Sequence, residues 1–295
     1  MISIRSCPIC NLEQFEDYLK IKDHSISGEY FKLLKCSSCQ FILTSPRPDD
    51  EQLGKYYQSK EYISHSDTNI GIVNKIYRII RNYTLKQKIE LIKNLNKQPN
   101  LIDIGSGAGY FLDACQKAGF NGFGIEPDET TRAGSISKFN IQVFDESYLN
   151  QIPESSIDLI SMWHVLEHVP ALNQRLQEIY KILKPNAYLI IAVPNCSSFD
   201  SKHYKEYWAG YDVPRHLWHF TPNTIIKLLS QHSFMHIKTL PMYFDSYYVS
   251  MLSEKYKHNF LGLIYGVAIG FLSNAKAFFS KKNRYSSQIY IFSKN

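Results

Sequence analysis

Leu101-Ile102-Asp103-Ile104-Gly105-Ser106-Gly107-Ala108-Gly109 is the stretch on which the fold turns. Its first four residues predict a buried apolar strand, and the three alternate glycines predict a turn that opens a helix. Glycine lets the backbone turn tightly there and come close to a ligand that a Cβ would strike. A second apolar run, Gly122-Phe123-Gly124-Ile125, ends at Glu126, 126 − 105 = 21 residues after the first glycine. A strand-end acid at that distance can accept hydrogen bonds from a ribose diol, which points to a nucleotide-type cofactor. The dinucleotide fingerprint G-x-G-x-x-G is not met, because its last glycine would fall at Tyr110, and this disfavours a pyrophosphate.

Further along, Ile157-Asp158-Leu159-Ile160-Ser161-Met162-Trp163-His164-Val165-Leu166-Glu167-His168-Val169 is an apolar run headed by Asp and followed by aromatic, His and Glu side chains. Open α/β sheets place ligand contacts at such carboxyl ends. Leu172, Leu176, Ile179 and Leu183 recur at helical spacing, and Tyr188 to Val193 predicts a fifth buried strand. A sixth strand is expected near Met235 to Phe244, and a last one at Gln288-Ile289-Tyr290-Ile291-Phe292.

A G-x-G-x-G turn after an Asp-bearing strand, with its strand-end acid and the fourth-strand segment, resembles the class I S-adenosylmethionine-dependent methyltransferases over roughly residues 99 to 240. The resemblance implies an α/β, Rossmann-like methyltransferase sheet of strand order 3-2-1-4-5-7-6 and S-adenosylmethionine as cofactor. It also implies a cofactor site of Asp103, Gly105, Ser106, Gly107, Gly109, Glu126, Pro127, Asp145 and Trp163.

At 295 residues the chain can bury a sizeable core in one main domain with a small accessory module. Lys plus Arg number 33 against 27 Asp plus Glu, a net charge of +6. The charges are dispersed, which tolerates an anionic substrate and argues against nucleic acid as the partner. Met1-Ile2-Ser3-Ile4-Arg5 has neither the apolar core nor the cleavage site of a secretory signal, so a cytoplasmic location is expected.

Cys7-Pro8-Ile9-Cys10 and Cys36-Ser37-Ser38-Cys39 are two C-x-x-C knuckles. Each can offer two thiolates to one tetrahedral ion, and four sulfurs with no open position describe a structural zinc site. Two disulfides or a thioredoxin-like redox pair are the alternatives; the first suits a secreted chain and the second would occur once, beside a βαβ unit. Cys115 and Cys196 fit small buried hydrophobes. Residues 1–45 are therefore expected as a zinc ribbon, and 46–98 as a helical connector opened by Pro46-Arg47-Pro48 and carrying Ile72, Ile76, Ile79, Ile80, Tyr83 and Leu91. A ribbon, this Pro-Arg-Pro segment, Tyr56-Tyr57 and a methyltransferase sheet over 99–295 resemble zinc-ribbon methyltransferases of bacterial glycan and natural-product pathways. Some of those methylate sugar carbons with an extra carboxyl-terminal domain, for which this chain is too short.

Two segments bear on the acceptor. His164-x-x-Glu167-His168 matches the H-x-x-E-H string of inverted zinc proteases, but the sheet context belongs to a methyltransferase. Similar ubiquinone-pathway O-methyltransferases place metal-binding carboxylates there, so a catalytic metal at His164, Glu167 and His168 stands beside plain cofactor or acceptor contacts. The loop Trp208 to Phe220 is dense in aromatic, His and charged residues. Methyl transfer to a hydroxyl needs water excluded and a base; His216 is the candidate, with Asp212 as orienter, Arg215 as anion clamp, and His164 and His168 facing the cleft. An insertion at about 246–284 contains 13 uncharged residues, Phe260 to Leu272, flanked by Lys255, Lys257, Lys276, Lys281, Lys282 and Arg284. It is expected to be too short to span a bilayer. A helix over 259–279 that caps the acceptor cleft or lies on an anionic membrane at the inner face fits better, a buried core helix being the alternative. The expected function is O-methylation of a small-molecule, glycan or lipid-linked acceptor; the alternatives are RNA base methylation and a catalytically silent binding protein.

Overall fold

The computed structural model describes residues 1–57, 72–280 and 284–295. The side chains of Ile72 and Ile76, and Lys281 and Lys282 of the basic flank, lie outside the described set. In chain order the elements are β1 (Phe15–Lys22), β2 (Tyr30–Cys36), β3 (Ile42–Thr44), α1 (Asp50–Leu53), α2 (Ile72–Leu95), β4 (Asn100–Ile104), α3 (Tyr110–Lys117), β5 (Asn121–Ile125), α4 (Glu129–Phe139), β6 (Val143–Phe144), β7 (Ile157–Trp163), α5 (Leu172–Ile182), β8 (Leu183–Pro194), α6 (Phe199–Tyr204), β9 (Trp218–His219), α7 (Pro222–Gln231), β10 (Phe234–Pro241), α8 (Asp245–Tyr256), α9 (Gly262–Phe279) and β11 (Ser287–Lys294).

Strands β4, β5, β6, β7 and β8 pair in parallel because each is apolar on both faces and each is covered from both sides by helices. The seven-stranded sheet runs β6-β5-β4-β7-β8-β11-β10. Counted along the chain that is 3-2-1-4-5-7-6, with β11 antiparallel to both neighbours. On one face Leu172, Leu176 and Ile179 of α5 and Ile225 and Leu228 of α7 pack against Ile102, Ile104 and Ile160. On the other, Ile89 and Ile92 of α2 and Phe111 and Leu112 of α3 cover Leu101 and Leu159. Each such side chain contributes about 1.5–3 kcal/mol on burial.

The amino-terminal segment is joined to the rest of the chain by strand pairing. The amino-terminal sheet is four-stranded, β1-β2-β3-β9, and its last strand comes from the segment between β8 and β10, with Ile42 opposite His219 and Leu43 opposite Trp218. Cys7, Ile9, Phe41 and Leu43 share one apolar core with Trp218 and Phe220. All three residues of β3 are buried, and such a strand needs a partner on its far edge.

The insertion is the hairpin α8–α9, inserted between the paired strands β10 and β11. Helix α9 has 18 residues and a mean hydropathy of 1.3, enough by length and composition to cross a membrane, which corrects the expectation of too short a segment. Only 28% of it is buried, so it is no core helix either.

Candidate functional site

The glycine turn lies where β4 delivers it, at the carboxyl edge of the sheet. Gly105, Gly107 and Gly109 have φ of 70°, 52° and 79°, a region that side chains with a Cβ rarely adopt. Their reasons differ. A Cβ on Gly105 would stand 2.4 Å from Val165 Cγ2, and one on Gly109 would stand 2.7 Å from Ile141 Cδ1. Gly107 has nothing within 4 Å of that position. Two glycines therefore serve packing within the chain, and Gly107 alone opens toward a ligand.

Glu126, the residue after β5, is buried; its Oε2 accepts from Gly107 N at 2.8 Å and its Oε1 from Asp128 N at 3.1 Å. Burial raises its carboxyl above the usual range against those two bonds. Pro127 beside it is exposed, and Asp145, past β6, uses Oδ1 to accept from Ser147 N at 2.8 Å. Asp103 lies under the turn, accepts from Ser161 Oγ at 2.6 Å, and is pushed up to about 7 by burial. Ser106 Oγ and Trp163 Nε1 are buried without hydrogen-bond partners. An open glycine, a strand-end acid and orphaned polar atoms fit a bound nucleoside such as S-adenosylmethionine.

Lys88 of α2 enters the same cleft, unforeseen from the sequence because no motif marks it. Its Nζ lies 3.8 Å from the centre of the Trp163 ring. Burial lowers its amine to about 8, and Asp103 and Asp245 are the nearest carboxylates opposing that.

Val165, against Gly105, ties the segment after β7 to the turn. His164, at φ 58°, sets its Nε2 3.1 Å from Asp245 Oδ2 and its Nδ1 3.4 Å from Glu167 Oε1. Burial alone would lower this imidazole; the two carboxylates hold it up at about 10. Asp245 is the first residue of α8, and 81 residues of sequence (245 − 164) hide its partnership with His164.

The loop from Trp208 to Phe220 is buried against this segment. His168 Nδ1 lies 3.1 Å from Arg215 O and 3.0 Å from Tyr57 Oη, and His216 Nδ1 lies 3.0 Å from Gly210 O. A carbonyl oxygen only accepts, so each Nδ1 carries the hydrogen and Nε2 is the nitrogen whose lone pair can take a proton or a metal. The two rings meet edge to face, 4.6 Å between centres. Burial, with His216 alongside, lowers His168 to about 4. One ligand atom each from Glu167, His168 and His216 lie within 4.8 Å of one another, and both Glu167 oxygens lack a hydrogen bond. The metal-capable trio thus takes His216 in place of His164, whose ring is engaged by Asp245.

Asp212 and Arg215, the expected orienter and anion clamp, are paired with each other. Arg215 is buried and gives its guanidinium to Asp212 (2.7 and 2.9 Å), to Asp23 (3.0 Å) and to Tyr56 O, so it has no face left to clamp an outside anion. Asp212 is taken by that pair and does not orient His216; the Gly210 carbonyl does. The Arg215–Asp23 pair instead fastens the amino-terminal sheet to the loop. His219, with Nε2 3.0 Å from Thr44 Oγ1, belongs to the same joint.

The four knuckle cysteines converge. Cys7 and Cys39 sulfurs are 3.4 Å apart, as are those of Cys10 and Cys36, and none is in a disulfide. A tetrahedral zinc with about 2.3 Å bonds separates its sulfurs by about 3.8 Å, so this donor set suits one.

The chain matches the methyltransferase domain family over residues 77–238. An uncharacterized methyltransferase of Mycobacterium leprae is 31% identical over 96 residues, which are 31% of this chain and 36% of that protein. One of Mycobacterium avium is 30% identical over 96 residues, 31% of this chain and 38% of that protein. The chain thus spans little more than a third of the curated relatives it matches. Among solved structures, a SAM-dependent methyltransferase from Archaeoglobus fulgidus superposes with a TM-score of 0.51 at 21% identity, over 72% of this chain and 94% of that one. A methyltransferase from Galdieria sulphuraria gives 0.52 at 15%, over 75% and 88%. These likenesses are of fold.

Proposed function

The chain belongs to the methyltransferase domain family, and we propose that it is an S-adenosylmethionine-dependent methyltransferase that methylates a hydroxyl oxygen of a glycan or lipid-linked acceptor. The observation that carries this reading is the pair of adjoining imidazoles, half-buried His168 and buried His216, each with Nδ1 held by a carbonyl and Nε2 free. When bound, S-adenosylmethionine supplies a methyl group on a positively charged sulfur. Asp103, the glycine turn and Glu126 would hold it, Glu126 by accepting from the ribose hydroxyls, and Lys88 would answer its carboxylate. His216 would take the acceptor's proton at Nε2 as the oxygen attacks; general bases contribute about 10²- to 10⁴-fold. The buried loop around it excludes water.

A second reading is favoured by the buried Glu167 carboxylate, which His164 Nδ1 approaches only at 3.4 Å. A divalent cation on Glu167, His168 and His216 would acidify the acceptor hydroxyl directly. Both imidazoles already donate Nδ1–H to a carbonyl, as ligating histidines do. Loss of activity on chelation and its return with Mg²⁺ or Zn²⁺ would favour this reading over the metal-free base.

A structural zinc on Cys7, Cys10, Cys36 and Cys39 belongs to the proposal, supported by the converging thiols, and elemental analysis should find one per chain. Six unpaired cysteines suit a reducing compartment, the cytoplasm. The acceptor class is tested by incubating the protein with methyl-labelled S-adenosylmethionine and separate lipid, glycan and RNA extracts. Label in lipid or glycan is expected; label confined to RNA would replace this reading with base methylation.

A further inference from the structure

The α8–α9 hairpin is built inside out. Helix α9 presses Gly266 and Gly270 so close to α8 that a Cβ on Gly266 would stand 2.5 Å from Met251 Cα, and one on Gly270 2.7 Å from Tyr247 Cα. The residues that α8 buries are Ser246, Ser250, Ser253 and Glu254. A helix pair in water buries its large apolar residues and shows its small and polar ones. Here the small face is buried, and Leu263, Ile264, Phe271 and Phe278 point outward, Phe271 at 61% exposure, beside a fully exposed Phe260. Single exposed apolar residues need no explanation, whereas a continuous face of this kind does.

The topology and the charges say what covers it. Crossing a bilayer is ruled out, because β10 and β11, on either side of the hairpin, pair from Phe234 opposite Lys294 to Pro241 opposite Gln288. Both ends of the hairpin return to one sheet, and the 12-residue, serine-bearing α8, about 18 Å long, is too short to carry the chain back across a hydrocarbon core of about 30 Å, so the apolar α9 can only lie in the plane of an interface. Lys255, Lys257, Lys276 and Arg284 border it, Lys257 and Lys276 keeping their full charge over the rings of Tyr204 and Phe199, while its acids, Asp245 and Glu254, are engaged by His164 and Asn259. A basic rim repels a second copy of the same face and attracts anionic headgroups.

We propose that the outward face of this hairpin seats in the plane of an anionic lipid bilayer. Because Asp245 at the start of α8 is paired with His164 in the cleft, seating it brings the cleft to the lipid surface, where a lipid-linked acceptor lies. That last step rests on the acceptor reading above; the docking itself does not.

The test uses the full chain with vesicles of phosphatidylglycerol and phosphatidylcholine, and with phosphatidylcholine alone, and needs no methyl acceptor. The wild type should sediment with the anionic vesicles and far less with the neutral ones. Ile264→Glu and Phe271→Glu should each weaken binding roughly tenfold or more, with S-adenosylhomocysteine titration unchanged as proof of folding. No sedimentation with anionic vesicles, equal binding by the variants, or a stable dimer that Phe271→Glu dissociates would overturn the proposal.

Discussion

Glycine builds two regions of this molecule toward opposite ends. In the turn after β4, Gly105 and Gly109 let neighbouring side chains close in at positive φ, and the gap left at Gly107 faces inward, toward the cofactor. In the α8–α9 hairpin, Gly266 and Gly270 let two backbones close in, and what is gained faces outward as a sheet of Leu, Ile and Phe. The first region is a chemical cradle held by hydrogen bonds to Glu126; the second is a surface. They meet at one ion pair, His164 with Asp245.

If the cradle and its adjoining histidines do the chemistry while the hairpin only seats it, damage should sort by region. His216→Ala should lower turnover about 100-fold or more, from the 10²- to 10⁴-fold share of a general base, with cofactor affinity and vesicle binding unchanged. Steady-state kinetics on the identified acceptor check this; equal turnover would leave His216 a packing residue.

Gly105→Ala should cost about 2 kcal/mol of stability, the order of a non-glycine residue at positive φ, and weaken cofactor binding besides. Gly266→Ala meets backbone 2.5 Å away and should cost about 1–3 kcal/mol by overpacking, yet leave the cofactor site intact. Denaturant melts with parallel cofactor titrations separate the two, and a Gly266→Ala chain that lost cofactor affinity would dissolve the distinction.

The smallest expected effect tests the joint. His164 is held up at about 10 in the fold against an ordinary value near 6.5. Its contribution is therefore fully present below about pH 6.5 and drains away as pH rises toward 10. Melting temperature should fall across that window, and fall less steeply in Asp245→Asn; identical slopes would mean that the pair does not tie hairpin to cleft.

What the sequence disclosed follows the range of the forces involved. The strands, the glycine turn and Glu126 were legible because period and spacing are local, and the sheet order came with the resemblance they carry. The two C-x-x-C knuckles were legible for the same reason. The Arg215–Asp23 pair and the β3–β9 pairing were not, since each joins residues more than 170 positions apart (215 − 23 = 192; 219 − 42 = 177). A charged loop looks the same in sequence whether its Arg faces a ligand or is spent on two buried carboxylates. The hairpin's composition was visible; which face it turned outward depended on how closely glycine lets α9 approach α8.

Calorimetric titration of S-adenosylmethionine into the wild type and Glu126→Ala tests the account most directly, because Glu126 both closes the glycine turn at Gly107 N and would receive the ribose. Micromolar-range binding by the wild type and a severe loss in the variant, both still folded, are the predicted result. No binding by the wild type, or the same affinity in both, would contradict the placement of the cofactor at this turn.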